Sequence, residues 1–305
     1  MIPISKYHGC GNDFIIVRDD DVEVFSGDLP GFAARACSRR TGIGADGLIV
    51  LSADPLEMKL FNSDGSEAPM CGNGIRCFAH YCRLEGLVGE DSYIVKTLAG
   101  DMAVKVISGS PFTVEIDLGP PQAEGLEGLS GKAAGNGPGE MVSEAELEIS
   151  GAGIGTPLYI RARSIFLGTL HTVIWVGPDP TPGAEGILSD DGSVLDLEEG
   201  SLAVSVARAV SNHRYFPGKT NVNLARVISP QRLELVTYER GAGFTLACGT
   251  GAASAVYMGR MEGRLEGEVT VALRRGELKI RIGEDGQTFM SGPSERIMKG
   301  YYYAS

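Results

Sequence analysis

The chain has 305 residues, enough for about two domains, and its apolar share of 43% and charged share of 22% are ordinary for a globular protein. This composition excludes a disordered chain, and a formal net charge of −12 disfavours a nucleic-acid partner, which normally meets a basic surface. Glycine supplies 43 residues, about twice its usual ~7% share, which indicates many tight turns or places where backbone closely approaches a ligand.

The first half of the chain is predicted to alternate short strands with helices. Pro30 favours a helix over 30–40, because a proline in the first turn removes an N–H that has no helical partner. Apolar side chains at helical spacing predict a second helix over 72–84, after a turn sequence at 62–66. Apolar runs predict strands at 14–17, 48–51, 58–61, 93–95, 102–107 and 112–118.

A compositional change separates the two halves. Residues 119–155 are rich in Gly, Pro, Ser and Glu, which predicts a linker or a long crossing loop. The second half then repeats the alternation, with helices predicted at 197–212 and 249–261. Its predicted strands lie at 158–163, 172–176, 232–239, 269–273 and 278–282.

An internal repeat links the two halves. The first contains Cys71-Gly72-Asn73-Gly74 and the second contains Cys248-Gly249-Thr250-Gly251, each at the start of a predicted helix. A weaker similarity relates residues 11–16 to residues 168–173. Two similar halves can place the two cysteines on either side of one cleft.

The six cysteines are predicted to be reduced, since the N-terminal sequence lacks the pattern of a secretion signal in a chain of this length. None of their spacings is Cys-x2-Cys, so we expect no zinc site and no other metal. No apolar run approaches the ~20 residues of a membrane span. We therefore expect a cytoplasmic protein without a membrane partner.

A cysteine at a helix N-terminus is equipped for proton transfer. The free N–H groups and partial positive charge there bind carboxylates and lower the pKa of a nearby thiol. If both helices address one carboxylate, one thiolate removes a proton from the adjacent carbon and the opposite thiol returns one. The reaction inverts a stereocentre without pyridoxal phosphate. Inert buried cysteines beside tight turns are the alternative, and the second copy of the motif disfavours it.

The chain resembles the diaminopimelate epimerase family, whose members are cofactor-independent two-cysteine amino-acid racemases. The resemblance extends over nearly the whole length, and two blocks are the most specific: residues 61–74, ending in Cys71-Gly72-Asn73-Gly74, and residues 238–251, ending in Cys248-Gly249-Thr250-Gly251. Further matches are the segments 9–14, 41–47 and 290–293.

The resemblance implies a fold of mixed α/β (α+β) class, with two lobes related by a pseudo-twofold axis and a mixed sheet wrapped around a central helix in each. One lobe comprises residues 1–118 with about 285–305 and carries Cys71, and the other comprises 119–284 and carries Cys248. The implied reaction interconverts LL- and meso-diaminopimelate in the biosynthesis of lysine and peptidoglycan precursors. It implies no cofactor, and a homodimer.

The resemblance also assigns roles to individual residues. Cys71 and Cys248 act as the two acid–bases, and His171 and Glu239 orient or tune them. The α-carboxylate is bound at Gly72, Asn73, Gly249 and Thr250. The remainder of the substrate is bound by Asn12, Asn62, Thr169, Asn221, Glu239 and Arg240, since a guanidinium matches a distal carboxylate and asparagines serve both carboxylate and ammonium groups.

Two segments depart from the family pattern. Gly168-Thr169-Leu170-His171 replaces the usual Gly-Asn-Pro-His, and Phe244 replaces a glutamate in the usual Gly-Ala-Gly-Glu-Thr. The shorter Thr169 leaves one substrate contact unmade or bridged by water, and Phe244 alters the pocket wall. These changes leave open a related racemase of shifted specificity, such as one acting on histidine. Two alternatives of a different class also remain: a non-catalytic amino-acid-binding protein, and an isomerase on the same fold that resembles those of the phenazine pathway.

Overall fold

A computed structural model of the chain describes residues 1–25, 27–127, 129, 132–133, 142–151 and 153–303. Its helices are α1 (Asp19–Val22), α2 (Leu29–Cys37), α3 (Gly72–Leu84), α4 (Leu202–Ser211) and α5 (Gly249–Met261). Its strands are β1 (Ile2–Gly9), β2 (Asn12–Arg18), β3 (Gly47–Ala53), β4 (Leu56–Asn62), β5 (Glu67–Ala68), β6 (Ser92–Thr97), β7 (Gly100–Gly109), β8 (Phe112–Asp117), β9 (Lys132–Ala133), β10 (Val142–Gly151), β11 (Ile154–Leu167), β12 (Thr169–Trp175), β13 (Asn221–Ser229), β14 (Arg232–Glu239), β15 (Gly243–Phe244), β16 (Val269–Leu273), β17 (Gly276–Ile282), β18 (Thr288–Pro293) and β19 (Glu295–Tyr302). No helix in these described ranges is long and apolar enough to cross a membrane.

The chain divides into two compact units, the first of which comprises Met1–Asp117 with Ser291–Ser305. Its sheet runs β19–β1–β2–β3–β4 and continues from β4 through β6 and β7 to β8. The pairs β2–β3 and β4–β6 are parallel and the other pairs in this run are antiparallel. Helix α3 lies against six of these strands, and nearly all of its side chains are buried. It is therefore the central helix of a mixed sheet, as expected.

The second unit comprises Leu118–Met290 and repeats this plan. Strands β10 to β14 pair in chain order, β15 and β16 both pair with β14, and β17 pairs with β16. The parallel pairs are now β12–β13 and β14–β16. Helix α5 lies against strands of this sheet, and α4 packs against β10, β13 and β14 over an apolar core.

The element order confirms the internal repeat. In the first unit the order β1–β2–α2–β3–β4–β5–α3–β6–β7–β8 corresponds to β11–β12–α4–β13–β14–β15–α5–β16–β17–β18 in the second part of the chain. Helices α3 and α5 each have 13 residues and each begins directly after a cysteine. The strand β2 begins at Asn12 and its counterpart β12 begins at Thr169, so these two residues occupy equivalent positions.

The prediction of a loop throughout 119–155 is wrong for its second part. Strand β10 pairs antiparallel with β11, and Val142, Leu147 and Ile149 on it are buried. Its glutamates alternate with apolar residues at a period of two, which is typical of a strand and decides the structure more strongly than composition does. Within the predicted loop, residues 128, 130–131, 134–141 and 152 lie outside the described residues.

Most of the other predicted elements are confirmed. Two of the predicted helices have different boundaries in the structure. Helix α2 ends at Cys37 instead of residue 40. Helix α4 begins at Leu202 instead of 197, because Ser201 accepts a hydrogen bond from the backbone N–H of Val204 and so defines the N-cap. Strands β1, β13, β18 and β19 were not predicted.

Candidate active site

Two cysteines occupy equivalent positions at the N-termini of buried helices. Cys71 is the N-cap of α3 and Cys248 is the N-cap of α5, and both have extended backbones, with φ −140° and ψ 123° for the first and φ −124° and ψ 107° for the second. The N–H groups of a helix's first turn lack intrahelical partners and carry partial positive charge. Each cysteine therefore lies beside a point suited to binding a carboxylate. Cys71 belongs to the first unit and Cys248 to the second.

The side chains around Cys71 form a chain of amides. Sγ of Cys71 lies 3.7 Å from Oδ1 of Asn12, which also accepts a hydrogen bond of 3.1 Å from Nδ2 of Asn73. Nδ2 of Asn12 donates to the carboxylate of Asp46 at 2.7 Å. Oδ1 of Asn73 accepts a hydrogen bond of 2.9 Å from Arg76, which is fully buried. The structure thus brings the predicted residues Asn12, Cys71 and Asn73 together.

The side chains around Cys248 form a network of hydroxyl groups and an imidazole. Sγ of Cys248 lies 3.6 Å from Oγ1 of Thr250. That hydroxyl lies 3.0 Å from Nε2 of His171, which is also 3.0 Å from Oγ1 of Thr169. On the other side of the ring, Nδ1 lies 3.2 Å from Nδ2 of Asn223. The predicted residues Thr169, His171, Cys248 and Thr250 therefore form one cluster.

His171 is held neutral in this cluster. The side chain is completely buried, and burial, reinforced by the positive charge of Arg240, lowers its pKa to about 3. Near neutral pH the ring therefore has one protonated nitrogen and one nitrogen that accepts hydrogen bonds. His171 is thus able to relay hydrogen bonding toward Cys248, but it is too weak a base to take up a second proton near neutral pH.

The cluster extends from Thr169 to the end of β14. Nδ2 of Asn221 donates to Oγ1 of Thr169 at 3.0 Å, and Oδ1 of Asn221 accepts from the backbone N–H of Arg240 at 2.9 Å. The guanidinium of Arg240 lies at the surface and donates to the carbonyl of Gly218. Glu239 is half-buried and accepts a hydrogen bond of 2.6 Å from the hydroxyl of Thr245.

Two further predicted positions lie in turns or in the core. Asn62 ends β4, is exposed, and donates through Nδ2 to Oγ of Ser66 in the following turn. Phe244 packs edge-to-face on Tyr238 at 5.3 Å and contacts the apolar core of the second unit. The observed contacts of Phe244 are therefore packing contacts with Tyr238 and with this core.

The four remaining cysteines are all buried. Burial raises the pKa of the Cys10 and Cys82 thiols, and raises the pKa of Cys37 and of Cys77 to about 12. None of the six cysteines, all of which lie in the described ranges, forms a disulfide. Within those ranges, no group of three or more His, Cys, Asp or Glu side chains is placed to hold a metal ion.

The sequence reasoning missed three residues of these clusters. Asn223 and Thr237 are buried on neighbouring strands, and Thr237 donates to Oδ1 of Asn223 at 2.9 Å. Arg76 lies in the first turns of α3, and its other contacts include the carbonyls of Gly72 and Pro293. Asn223 carried a signal, since it lies two residues after Asn221 and so faces the same side of a buried strand.

Comparison with known sequences identifies the family. Residues 4–124 and 190–297 match the family model of diaminopimelate epimerase. The chain belongs to the diaminopimelate epimerase family. Diaminopimelate epimerase of Pelotomaculum thermopropionicum is 38% identical over 304 residues, covering 98% of each chain. The enzyme of Moorella thermoacetica is 38% identical over 301 residues, covering 97% of each.

Solved structures of other epimerases and racemases share the fold. A probable proline racemase from Agrobacterium radiobacter K84 has a TM-score of 0.65 at 12% identity, covering 100% of this chain and 94% of that one. A hydroxyproline epimerase from Agrobacterium vitis has a TM-score of 0.61 at 11% identity, covering 98% and 91%. These similarities confirm the mixed α/β fold class. With the diaminopimelate epimerase relatives, they establish the chain as an isomerase of the epimerase and racemase type.

Proposed function

We propose that this isomerase interconverts LL- and meso-diaminopimelate by two-base proton transfer, with Cys71 and Cys248 acting on the same α-carbon from opposite faces. The observation that carries the proposal is the repeated N-cap cysteine, found at the start of equivalent helices in a chain of the diaminopimelate epimerase family. The relatives named diaminopimelate epimerase at 38% identity support this substrate.

The proposed reaction balances with protons alone. One cysteine, as thiolate, takes the α-hydrogen as a proton, and the electron pair left on carbon delocalises into the α-carboxylate. The other cysteine, as thiol, gives its proton to the opposite face of the carbon, and the configuration is inverted. At the end the two sulfurs have exchanged protonation states. N–H groups at the helix starts stabilise the negative charge that develops on the carboxylate, where preorganised donors have their largest effect.

Substrate binding is assigned by the same reasoning. We propose that the first-turn groups of Gly72, Asn73, Gly249 and Thr250 bind the reacting carboxylate, which fits their place at the two helix N-termini. We propose that the distal ammonium and carboxylate are bound by further polar side chains of both units: Asn12, Asn62, Thr169, Asn221, Glu239 and Arg240. His171 and Glu239 are proposed to orient the catalytic groups.

We propose that each of the two lobes supplies one of the catalytic cysteines. One catalytic lobe, residues 1–118 with about 285–305, supplies Cys71, and the other, residues 119–284, supplies Cys248. We propose that the enzyme works without a cofactor, as a cytoplasmic homodimer, in the biosynthesis of lysine and peptidoglycan precursors. A thiolate–thiol pair supplies both proton transfers, so the chemistry needs no electron sink beyond the substrate carboxylate.

The experiment that tests this proposal is α-proton exchange in D2O, followed by NMR and chiral chromatography. The panel contains LL- and meso-diaminopimelate, histidine, lysine and glutamate. We expect exchange and epimerisation with diaminopimelate and no reaction with the others. Histidine as the preferred substrate establishes a racemase of shifted specificity, the alternative favoured by Thr169. Binding of an amino acid without exchange establishes a binding protein and overturns the proposal.

A further inference from the structure

We propose that the two acid–base cysteines differ before substrate binds: Cys248 is the resting thiolate and Cys71 is the resting thiol. The inference rests on the proposed function in taking both sulfurs as the acid–base pair. It assigns a positioning role to Thr250, His171 and Asn223 at one centre, and to Asn12 at the other.

At the first centre, both ends of the amide chain are fixed by groups with one possible role. A guanidinium only donates, so the atom of Asn73 that contacts Arg76 at 2.9 Å is Oδ1, and Nδ2 of Asn73 is directed to Asn12 at 3.1 Å. A carboxylate only accepts, so the atom of Asn12 that contacts Asp46 at 2.7 Å is Nδ2. The orientation of the Asn12 amide is thereby determined from two sides.

This orientation directs the carbonyl oxygen of Asn12 at Cys71. Oδ1 lies 3.7 Å from Sγ and is able only to accept, so the contact is a hydrogen bond when the sulfur carries a proton. A thiolate at the same place would be repelled by the lone pairs of this oxygen. The first centre therefore stabilises the protonated form of Cys71.

At the second centre, Asn223 determines which ring nitrogen of His171 is protonated. Thr237 contacts Oδ1 of Asn223 at 2.9 Å, and Nδ2 of Asn223 also reaches the carbonyl of Thr172 at 3.4 Å. The carbonyl only accepts, so the group facing Nδ1 of His171 at 3.2 Å is an N–H donor. Since the buried ring is neutral, Nδ1 accepts and Nε2 carries the proton.

The protonated Nε2 then determines which atom donates in the contact between Thr250 and Cys248. Oγ1 of Thr250, 3.0 Å away, accepts from Nε2, which directs the hydroxyl hydrogen of Thr250 toward Sγ of Cys248 at 3.6 Å. Thr169 does not reverse this direction, because its oxygen accepts from Nδ2 of Asn221 as well as from the ring. An O–H donor directed at sulfur stabilises a thiolate, whereas the atom that contacts Cys71 at the first centre, Oδ1 of Asn12, is an acceptor.

The charged side chains named near each sulfur include both signs, so the hydrogen bonds carry this assignment. At the first centre, Arg76 and Asp46 stand at opposite ends of the amide chain and act on Cys71 in opposite senses, while Cys10 and Cys77 are thiols. At the second, the charged groups at the end of β14 are Glu239 and Arg240, of which Glu239 is hydrogen-bonded to Thr245. The macrodipoles of α3 and α5 act alike on both sulfurs, because the helices are equally long and each cysteine is the N-cap.

Competitive alkylation separates ionisation from accessibility. Cys248 is only 7% exposed, whereas Cys71 is half-buried, so accessibility alone predicts that Cys71 reacts first. Only the thiolate is nucleophilic. With the substrate-free enzyme and limiting iodoacetamide at pH 6.5, we expect peptide mass spectrometry to find Cys248 modified about tenfold faster than Cys71. Equal rates, or faster modification of Cys71, overturn the assignment.

Variants of Thr250 test the relay within the same molecule. Thr250→Val removes the hydroxyl at nearly constant volume, and we expect it to slow alkylation of Cys248 about tenfold while alkylation of Cys71, the internal control, stays unchanged. Thr250→Ser keeps the hydroxyl and is expected to restore the wild-type rate. If Thr250→Val leaves the rate at Cys248 unchanged, the relay is refuted.

Thiolate absorbance at 240 nm gives a second readout. Cys71→Ser retains Cys248 and Cys248→Ser retains Cys71, so the pair reports each sulfur separately. We expect the absorbance to rise at lower pH in Cys71→Ser than in Cys248→Ser; the reverse order overturns the assignment. The four other cysteines contribute little below pH 8, because burial raises each of their pKa values. Neither readout uses substrate, so failure of the proposed reaction in the exchange assay is distinguishable from failure of this assignment.

Discussion

Nδ2 of Asn223 lies 3.2 Å from Nδ1 of His171, across the parallel pair of strands β12 and β13. Both side chains are completely buried, so the contact is shielded from water and its direction is fixed. This pair connects the core of the second unit to the hydroxyl beside Cys248. Replacing Asn223 therefore tests this connection directly.

Replacing Asn223 by aspartate reverses the hydrogen bond at Nδ1. A carboxylate accepts from Nδ1–H, so the neutral ring carries its proton on Nδ1, and we expect the pKa of His171 to rise above its value of about 3. Nε2 then accepts from Thr250, whose hydroxyl no longer donates to Cys248, so epimerisation should slow about tenfold. Imidazole NMR reports the tautomer and pKa, and the turnover assay reports the rate. Asn212→Asp, at an exposed helix end, is the control and should change neither.

Each of the two proposed acid–base cysteines is predicted to be required for inversion. We expect Cys71→Ser and Cys248→Ser each to slow epimerisation by about 10²–10⁴-fold, the usual contribution of a general acid or base. Each variant should retain exchange of the α-proton of one stereoisomer, since one working sulfur remains. Cys82→Ser, in the buried face of α3, is the control. Full epimerisation by either single variant refutes the two-base mechanism.

Gly74 and Gly251 occupy the same place in the two Cys-Gly-x-Gly motifs but have different surroundings. A Cβ at Gly251 would lie 2.5 Å from Oδ1 of Asn223 and 3.2 Å from Sγ of Cys248, both too close. A Cβ at Gly74 would meet nothing nearer than 3.5 Å, an ordinary contact. We expect Gly251→Ala to cost about 1–3 kcal/mol of stability and most of the activity.

Gly74→Ala is the matched control for that substitution. Both glycines are helical, so both variants gain the same helix propensity, up to about 1 kcal/mol, and the difference isolates packing around Cys248. Urea denaturation and the turnover assay measure both effects. If the two alanine variants prove equally stable and equally active, the close packing of Asn223 against α5 is contradicted.

Burial of neutral His171 predicts a loss of stability in acid. The unfolded chain binds a proton at the ordinary pKa of 6.5 and the folded chain only at about 3, so the free energy of unfolding falls as pH drops through this window. The slope is at most about 1.4 kcal/mol per pH unit for this one group. His171→Gln, which does not titrate, should remove that slope between pH 6 and 4. Parallel slopes for the wild type and the variant contradict the prediction.

The helices that begin beside Cys71 and Cys248 were more predictable than the strands around them. Helices α3 and α5 start at Gly72 and Gly249 as predicted, because the apolar spacing and the repeated motif are local signals. Strands such as β1 and β19 depend on pairing between residues nearly three hundred positions apart, for instance Ile2 with Tyr302. Local sequence does not encode that kind of partnership.

The environment of each cysteine was less predictable than its identity. Asn12, Thr169 and His171 were chosen from a family resemblance, but which of their atoms donate depends on Asn223, Arg76 and the strand register. Thr169 and His171 are brought together by local sequence, whereas Asn223 reaches His171 only because β13 pairs with β12 in parallel. Long-range register therefore distinguishes two centres that look alike in sequence.

The pairing of β19 with β1 has a consequence for synthesis on the ribosome. The first unit holds Met1–Asp117 but also Ser291–Ser305, whereas the second unit is continuous in the chain. The strand that completes the edge of the first sheet is thus translated after all of the second unit. Although domains generally fold in the order of their synthesis, here the unit encoded second is the first to have all of its residues available. Cys71 acquires its finished surroundings only after β19 has been translated, so a chain truncated after Met290 is expected to present Cys248 in a complete unit and Cys71 in an incomplete one.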